Sequence, residues 1–541
     1  MAKVRTAGEA HVRRLVPVVL TVLVAGGLPL LGGAGAQAQS TAQGSWELTG
    51  SLSTPRFDHT LTLLANGKVL AAGGRTQNVT PVAHFNTAEV YDPVTEQWTP
   101  TGPMNDYRFQ HTATLLPDGR VLVAGGFGGG PVGSTANAQS VVDTAEIYDP
   151  VTNAWTLTDN LNVRRALHTA ERLPDGRVLV AGGRTCNLPP PATCNFTFVT
   201  NTAEIFDPAT QQWTLTGSLS APRHTTASVV LPDGRVLVPA GFQGTGVPSN
   251  GGDVYDPAAG TWSSIAPLNL ARSRQGAMLL PDGRVMVALG FPPNQTTEIY
   301  DPAANAWSFA APLTGFSSRF NFAYAVMPNG KALIAGGQTN PPSVLTTRTD
   351  EYDPASNTWS TQAPMNDTHA TGSSLSNSYE AVVLSASPTS YVADPYICGR
   401  NCGKVLVAGY SNTGTSELYT AAGTCYGFDA TIVGTAGNDD LAGTSGRDVI
   451  LGLGGNDRIG AGGGDDVVCA GTGVDSVSGG AGADVLLGGE GADSLAGTDS
   501  DDALFGEVGD DALSGGEGRD LADGWVGSDR CTTSEVLRNC P

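Results

Sequence analysis

Short apolar runs that begin just after a turn and end at glycine recur along the first four fifths of the chain. A typical copy is LLPDGRVLVAGG at 115–126. Asn-Gly or Asp-Gly between two apolar runs favours a tight hairpin turn, because both central residues need positive φ. The turns lie at Asn66-Gly67, Asp118-Gly119, Asp175-Gly176, Asp233-Gly234, Asp282-Gly283 and Asn329-Gly330. Each copy therefore predicts two antiparallel strands.

A second signature follows each hairpin, as in TAEIYDPVTNAW at 144–155. The alternating run predicts a third strand, Asp-Pro ends it, and the tryptophan begins a fourth strand with a large apolar face. These tryptophans are Trp98, Trp155, Trp213, Trp262, Trp307 and Trp359. Four antiparallel strands repeated about every fifty residues predict the blades of a β-propeller.

A seventh, degenerate copy has no tryptophan after its third strand at Glu417-Leu418-Tyr419, whereas a spare Trp46 precedes the first copy. We expect the N-terminal strand at Trp46 to complete the last blade, which removes the open sheet edges of the ring. Over residues 46–420 the repeats resemble the kelch repeat. The resemblance implies an all-β fold, with a seven-bladed kelch propeller of the galactose-oxidase type at 39–423.

One arginine lies ten residues before the turn in six copies: Arg56, Arg108, Arg165, Arg223, Arg272 and Arg319. Because no unique catalyst recurs in every blade, these arginines are predicted to be structural. Their expected partners are the repeated glutamates, since buried charges need pairing: Glu89, Glu146, Glu204, Glu298, Glu351 and Glu417. Three residues after the arginine lie His59, His111 and His168 in neighbouring blades. Hydrogen bonding at a strand end is the favoured interpretation of these histidines, and metal or ligand binding is the alternative.

From Gly434 the chain changes to units rich in glycine and aspartate. Aspartates recur every nine residues through 11 units, at 439, 448, 457, 466, 475, 484, 493, 502, 511, 520 and 529. An aliphatic residue follows two positions after most of them, a regularity that a flexible linker has no reason to maintain. The units resemble the RTX nonapeptide, whose fold is a parallel β-roll that binds Ca²⁺.

The resemblance implies a calcium-binding roll at 424–541, followed by a cap in its last two units. Stacked turns bring carboxylates together, and a hard cation that prefers oxygen ligands relieves their repulsion. The expected Ca²⁺ ligands are Asp439, Asp448, Asp457, Asp466, Asp475, Asp484, Asp493, Asp502, Asp511 and Asp520. One ion between units n and n+2 allows roughly nine ions at most. Departures from the motif lower that number: Ala461, Ala470, Thr435, Thr444, Leu453, Thr498, Glu507 and Trp525.

The formal net charge of −22 is concentrated in the tail, where 18 Asp and 4 Glu face 5 Arg from residue 424 onward. This charge disfavours nucleic acid as a partner and favours cations. Residues 1–38 read as a signal peptide, with a basic start, an apolar run and a cleavage signal at Ala36-Gln37-Ala38. No later segment is apolar for long enough to span a bilayer. We therefore expect a secreted protein.

Eight cysteines in an exported chain predict disulfides. They lie in close couples, with two remaining: Cys186 with Cys194, Cys398 with Cys402, Cys531 with Cys540, then Cys425 and Cys469. A bridge between the two remaining cysteines is a further hypothesis.

Two classes of function stay open for the propeller. Copper-radical oxidases use a similar ring, but their cross-linked Cys–Tyr pair and histidine ligands find no counterpart in this sequence. Residues after the Gly-Gly elements suit a polar or acidic ligand, a glycan or a protein segment at the propeller face: Arg75, Phe127, Arg184, Phe242 and Phe291. We interpret the chain as an exported calcium-binding protein with a recognition propeller. The alternative is a secreted carbohydrate-active enzyme, an oxidase, isomerase or lyase.

Overall fold

A computed structural model describes most of the chain after the predicted signal peptide. The described residues are 43–76, 82–128, 140–186, 198–244, 246–292, 295–313, 319–339, 344–369, 379–385, 395–409 and 413–540. The predicted signal peptide, and with it much of the long loops after Phe127, after Arg184 and before Pro395, lies outside these ranges. Ala42–Pro541 form one compact unit.

Seven blade sheets follow one another along the first part of the chain, as the predicted fold class requires. Each contains four antiparallel strands, and one has a fifth strand added in parallel. Blade 1 is Thr60–Leu63, Val69–Ala72, Ala88–Asp92 and Gln97–Pro100; blade 2 is Thr112–Leu115, Val121–Ala124, Ala145–Asp149 and Ala154–Leu157; blade 3 is Thr169–Arg172, Val178–Ala181, Ala203–Asp207 and Gln212–Leu215; blade 4 is Val229–Val230, Val236–Pro239, Gly252–Asp256 and Thr261–Ser264.

The remaining blades complete the ring. Blade 5 is Gly276–Leu279, Val285–Ala288, Thr297–Asp301 and Ala306–Phe309; blade 6 is Ala323–Val326, Ala332–Ala335, Thr349–Asp353 and Thr358–Gln362, with Tyr379–Glu380 added in parallel; blade 7 is Val382–Val383, Val405–Ala408, Ser416–Thr420 and Ser45–Thr49. The outer strand of blade 7 thus comes from the N-terminal side, with Trp46 opposite Tyr419.

Shorter elements decorate the ring. The short strands are Arg108–Phe109, Phe127–Gly128, Ser140–Val141, Arg184–Thr185, Phe198–Val199, Phe242–Gln243, Val247–Pro248, Arg319–Phe320, Gln338–Thr339, Val344–Leu345, Thr424–Cys425 and Phe428–Asp429. A one-turn helix, Pro395–Cys398, continues into the 3₁₀ turn Gly399–Asn401. Within the described residues, no helix is long and apolar enough to cross a membrane.

An aromatic pair holds the outer two strands of every blade. The tryptophan of the fourth strand packs on the tyrosine or phenylalanine of the third, with ring centroids 4.9–5.2 Å apart in all seven blades. Apolar residues of neighbouring blades then pack against one another; Leu122 and Ile147 of blade 2, for example, share a core with Val180 and Phe206 of blade 3. The repeated signature therefore builds both the blade and its contact with the next blade.

The tail is a two-sheet parallel roll in which strands pair with the strand 18 residues further on, except that Leu521–Asp523 pairs with Val536–Arg538, 15 residues on. One sheet is Ile432–Val433, Val449–Gly454, Val467–Thr472, Val485–Glu490, Ala503–Val508, Leu521–Asp523 and Val536–Arg538; the other is Asp440–Ala442, Arg458–Gly463, Ser476–Ala481, Ser494–Asp499, Ala512–Glu517 and Arg530–Thr532. The repeated aliphatics, such as Ile450, Val468 and Leu486, form the buried core between the sheets.

The first of these two sheets carries a cluster of large apolar residues on its outer face. Val449, Val467 and Phe505 pack there with Tyr426 and with the Cys398–Cys402 pair of the blade 7 loop. The other sheet carries Arg458, Ser476 and Ser494 at the positions equivalent to Val449 and Val467, and all three are exposed. The two faces of the roll thus differ because alternate nine-residue units differ.

The cysteine couples expected from the sequence are bonded where the structure describes both partners: Cys398 with Cys402, and Cys531 with Cys540. Cys425 is bonded to Cys469, so the hypothesis of that bridge is confirmed. Cys186 is also in a disulfide, while Cys194 lies outside the described residues.

Candidate functional site

The six repeated arginines are completely buried and ion-paired within their own blades. Arg108 is representative: its Nη2 lies 2.7 Å from Glu146 Oε1, and its Nη1 donates to the carbonyls of Gly125 and Thr144. The shortest N–O distances of the six pairs run from 2.5 to 3.0 Å. The prediction that these arginines are structural is therefore supported by their contacts.

The predicted partners are right in blades 1, 2, 3 and 5 and wrong elsewhere. Arg319 pairs with Asp350 and not with Glu351. The carboxylate of Glu351 instead accepts a hydrogen bond from the hydroxyl of Tyr419. Glu417 pairs with His369, which stands in blade 7 where other blades have arginine. The carboxylate that pairs lies two residues before the aromatic residue of the third strand. Glu351 is one residue later, and strand alternation turns it to the other face.

The same rule identifies a partner that the sequence analysis missed. Arg223 of blade 4 pairs with Asp253, two residues before Tyr255, at 2.7 Å. The signal in the sequence was an acidic residue, either aspartate or glutamate, two positions before the aromatic residue of the third strand.

Two of the three repeated histidines, His111 and His168, link neighbouring blades. His111 Nε2 lies 3.1 Å from Thr60 Oγ1 of blade 1, and His168 Nε2 lies 2.9 Å from Thr112 Oγ1 of blade 2. Burial, together with the adjacent arginine, holds the pKa of His59, His111 and His168 well below its usual range, so they are neutral. This environment matches the interpretation that they satisfy polar groups at strand ends.

The residues after the Gly-Gly elements meet in a band of arginines and aromatic rings. Arg274 lies over the rings of Phe242 and Phe291 at 5.4 and 5.5 Å. Burial, with the nearby charge of Arg184, lowers the pKa of Arg274 to about 10. Arg75 lies over the ring of Phe109 at 4.8 Å and pairs with Asp58 at 2.6 Å. The band therefore contains buried positive charge next to aromatic surface, a combination suited to polar or acidic groups.

In the roll, the aspartates of alternate units stack into two columns. Along each column, the backbone N–H of one aspartate donates to the Oδ1 of the aspartate 18 residues later, as from Asp466 to Asp484 and from Asp475 to Asp493. Nine such links connect Asp439 through Asp529, at 2.7–2.9 Å.

The second carboxylate oxygen is buried and has no partner in nine of these aspartates, counting contacts among the described residues: Asp457, Asp466, Asp475, Asp484, Asp493, Asp502, Asp511, Asp520 and Asp529. In seven of the nine, a glycine five residues earlier leaves space beside this oxygen, whereas Ala461 and Ala470 take that position before Asp466 and Asp475. A Cβ on Gly488 would lie 2.6 Å from Asp493 Oδ2, and one on Gly452 would lie 2.7 Å from Asp457 Oδ2. An unpartnered buried carboxylate is costly, and a hard cation with oxygen ligands compensates it.

The first two predicted ligands differ from the rest. Asp439 Oδ2 accepts the backbone N–H and the hydroxyl of Thr435, at 2.6 and 2.9 Å, and Thr444 bonds Asp448 in the same way. In the later units this position has positive φ, even where it is Leu453, Thr498, Glu507 or Trp525. Asp529, outside the predicted set, joins the column. Two features of the sequence indicated that Asp529 belongs to the columns: the nine-residue period and Gly524, five residues before it.

Burial is the largest cause of altered acidity in the columns. It raises the pKa of Asp484, Asp493 and Asp502 to about 7, and the neighbouring carboxylate 18 residues earlier raises it further. Conversely, the hydrogen bonds from Thr444 lower the pKa of Asp448. Among the described residues, no three or more His, Cys, Asp or Glu side chains cluster to hold a metal. A cation in the columns would therefore need backbone carbonyl oxygens in addition to carboxylates.

Comparisons with known proteins agree with both halves of this arrangement. A family model of the RTX calcium-binding nonapeptide repeat (4 copies) matches 433–468, 470–504 and 496–531. A model of the kelch motif matches 62–105 and 109–162.

Relatives match parts of the propeller. Alpha-scruin of Limulus polyphemus is 27% identical over 190 residues, which cover 35% of this chain and 19% of that protein. Kelch-like protein terF of Aspergillus terreus is 23% identical over 240 residues, covering 42% and 48%. This chain thus spans less than half the length of either relative.

The solved structure of a fungal alcohol oxidase of the AA5 family, in complex with copper, has a TM-score of 0.52 and 14% identity, covering 72% of this chain and 79% of that one. At this identity the likeness concerns the fold alone. The RTX and kelch repeats support a calcium-binding protein with an interaction scaffold. The chain combines a propeller of kelch motifs with a parallel β-roll of RTX calcium-binding repeats.

Proposed function

We propose that the protein is exported, that its RTX roll folds on Ca²⁺, and that its kelch propeller is an extracellular recognition or interaction scaffold. The signal-like N-terminal segment and the disulfides support export. The acidic tail and its repeat support the calcium-dependent part.

One observation carries the calcium proposal: nine buried aspartates in two columns each present an Oδ2 atom without a partner among the described residues. Their own chain supplies a backbone N–H to Oδ1. Divalent cations placed along the columns would neutralise paired carboxylates and take carbonyl oxygens from the glycine turns. The absence of a soft ligand at these positions favours Ca²⁺ over copper or zinc.

The recognition role rests on the propeller face. Arg184 and Arg274 are buried, and Arg274 lies over the rings of Phe242 and Phe291. A partner with polar or acidic groups, either a glycan or a protein segment, suits this chemistry.

Calcium stoichiometry in the full chain tests the proposal. After dialysis against micromolar calcium, elemental analysis should find several Ca²⁺ ions per chain. Asp484→Asn should remove at least one ion or weaken Ca²⁺ binding by about tenfold. Asp439→Asn is the matched control, because Thr435 already satisfies Asp439 Oδ2.

Three outcomes would contradict the proposal. If no calcium is retained at saturating concentration, the columns are not ion sites. If stoichiometric copper is found, an oxidase becomes the better interpretation. Equal losses in Asp484→Asn and Asp439→Asn would show that the unpartnered oxygens do not define the sites.

A further inference from the structure

The indole N–H of the outer-strand tryptophan bonds to the preceding blade in six of the seven blades. Distances are 2.9–3.4 Å in these contacts: Trp46 to Thr349, Trp98 to Ser416, Trp155 to Thr101, Trp262 to Gly217, Trp307 to Ala266 and Trp359 to Ala311. Trp213 of blade 3 is the exception. Its side chain is 8% exposed, and its Nε1 has no acceptor among the described residues. A buried donor without an acceptor is unfavourable for the folded state.

Two substitutions in the repeat distinguish the junction between blades 2 and 3 from the other junctions between blades. Asp159 stands where the other blades have a small residue without charge: Gly50, Gly102, Gly217, Ala266, Ala311 and Ala363. In addition, the ring stacked on Trp213 is Phe206, whereas the other six blades have tyrosine there. At the next junction Tyr255 bonds the hydroxyl of Thr216 at 2.8 Å, a contact that Phe206 cannot make to Thr158.

A cavity of about 620 Å³ lies at this junction, which we call the blade 2–3 groove. It is lined by Thr158, Asp159, Asn160, Asn162, Gln212 and Trp213. Asn162 Nδ2 bonds Glu204 and the Trp213 carbonyl, at 2.9 and 3.1 Å, so it holds the wall of the groove in place. The side chains of Asp159, Asn160 and Gln212 are exposed.

The polar groups of the groove specify the chemistry of a ligand. The indole of Trp213 only donates a hydrogen bond, the carboxylate of Asp159 only accepts one, and the amides of Asn160 and Gln212 do both. A hydroxyl group can accept from the indole and donate to the carboxylate, whereas an anionic ligand would be repelled by Asp159. The volume lies within the usual range for small-molecule sites.

We propose that the blade 2–3 groove binds a short neutral oligosaccharide. A sugar oxygen accepts the hydrogen bond of Trp213 Nε1, and a sugar hydroxyl donates to Asp159. The sugar site in the blade 2–3 groove extends the recognition role proposed above. Only the biological use of this site rests on that proposed role. The site lies at the outer edge of the ring, so a propeller that binds a protein at its face but no sugar in this groove would keep the first proposal and lose this one.

The test uses the full chain in saturating calcium and three probe sugars: maltotriose, cellotriose and triacetylchitotriose. Binding is measured by calorimetry and by the ¹H–¹⁵N signals of the tryptophan indoles. We expect one probe to bind and to shift one indole signal. Asp159→Gly, which installs the residue of three other blades, should weaken that binding at least about tenfold without loss of thermal stability.

Gln212→Ala gives a second variant in case the first disturbs the junction, and it should weaken binding by about threefold or more. Gln97→Ala is the matched control, because Gln97 precedes Trp98 on blade 1 as Gln212 precedes Trp213, and it should leave binding unchanged. The proposal is overturned if none of the three sugars binds at about 10 mM, in which case water satisfies the indole. It is equally overturned if Asp159→Gly and Gln212→Ala bind as the wild type does.

Discussion

The propeller and the roll bury charge in opposite ways. In the propeller, six arginines with 0–1% exposure each meet a carboxylate and backbone carbonyls of the same chain. In the roll, nine aspartates with 0–3% exposure line two columns, and one oxygen of each has no partner among the described residues. The charges of these six propeller pairs are therefore neutralised within the chain. In the proposed function, a cation from outside neutralises the charges of the roll.

Removal of calcium should give the largest difference between the propeller and the roll. In EGTA at pH 7.5, amides of 457–531 should exchange hydrogen at least about 100-fold faster than in calcium, because uncompensated buried carboxylates oppose folding. Amides of 60–420 should change by less than about threefold. Hydrogen exchange with mass spectrometry measures both regions in one sample, and equal changes in both would refute the separation.

Breaking one internal ion pair should destabilise the propeller whatever the calcium concentration. Arg165→Met leaves Glu204 buried without its guanidinium, and we expect a loss of about 3–5 kcal/mol in the free energy of unfolding. Urea denaturation, followed by tryptophan fluorescence, measures it. Arg177→Met is the control, since the Arg177–Asp175 pair is exposed and should contribute less than about 0.5 kcal/mol. Similar losses in the two variants would contradict the structural role of the buried pair.

The two regions should respond to pH with opposite signs when calcium is absent. The roll's Asp484, Asp493 and Asp502 have pKa values raised to about 7, above that of the unfolded chain, so their contribution is lost as pH rises from 4 towards 7. In the propeller, the pKa of His59, His111 and His168 is depressed, so stability is lost as pH falls below about 6.5.

Circular dichroism in EGTA should therefore show a roll that is more ordered at pH 5.5 than at pH 8. Each carboxyl whose pKa is higher in the folded chain than in the unfolded chain should lower the folding equilibrium constant as the pH rises. The decrease should be up to about tenfold per pH unit. Tryptophan fluorescence should report the reverse trend for the propeller, since the described roll contains Trp525 alone among the tryptophans. A roll that becomes more ordered at pH 8 without calcium would contradict the environment assigned to the columns.

Much of the architecture is readable from local patterns. The blade strands follow from turns, apolar runs and Asp-Pro, and the roll strands follow from the nine-residue period, because each depends on residues close in sequence. The column of aspartates was equally predictable, down to the stacking of unit n on unit n+2. What failed was the assignment of Glu351 and Glu417 as arginine partners, because one residue in a strand decides which face a side chain occupies.

Other features depend on contacts between distant segments. Glu507 and Trp525 depart from the RTX motif, and in the structure both contact Arg400 of the blade 7 loop, at 3.4 Å to the carboxylate and 3.9 Å to the ring centroid. Both keep the left-handed backbone of the glycine that they replace. The two residues that depart from the motif thus form a contact between the roll and the propeller.

By itself the sequence determined the number of blades, the nine-residue unit of the roll and the residue types at its turns, since hydrogen-bonded turns and side-chain periodicity are properties of short segments. Only the tertiary structure decided which carboxylate neutralises Arg319, that Thr435 satisfies Asp439, and that the N–H of Trp213 has no acceptor among the described residues. Those outcomes depend on atoms brought together from separate strands, and differences of a few ångströms decide whether a buried polar group is paired.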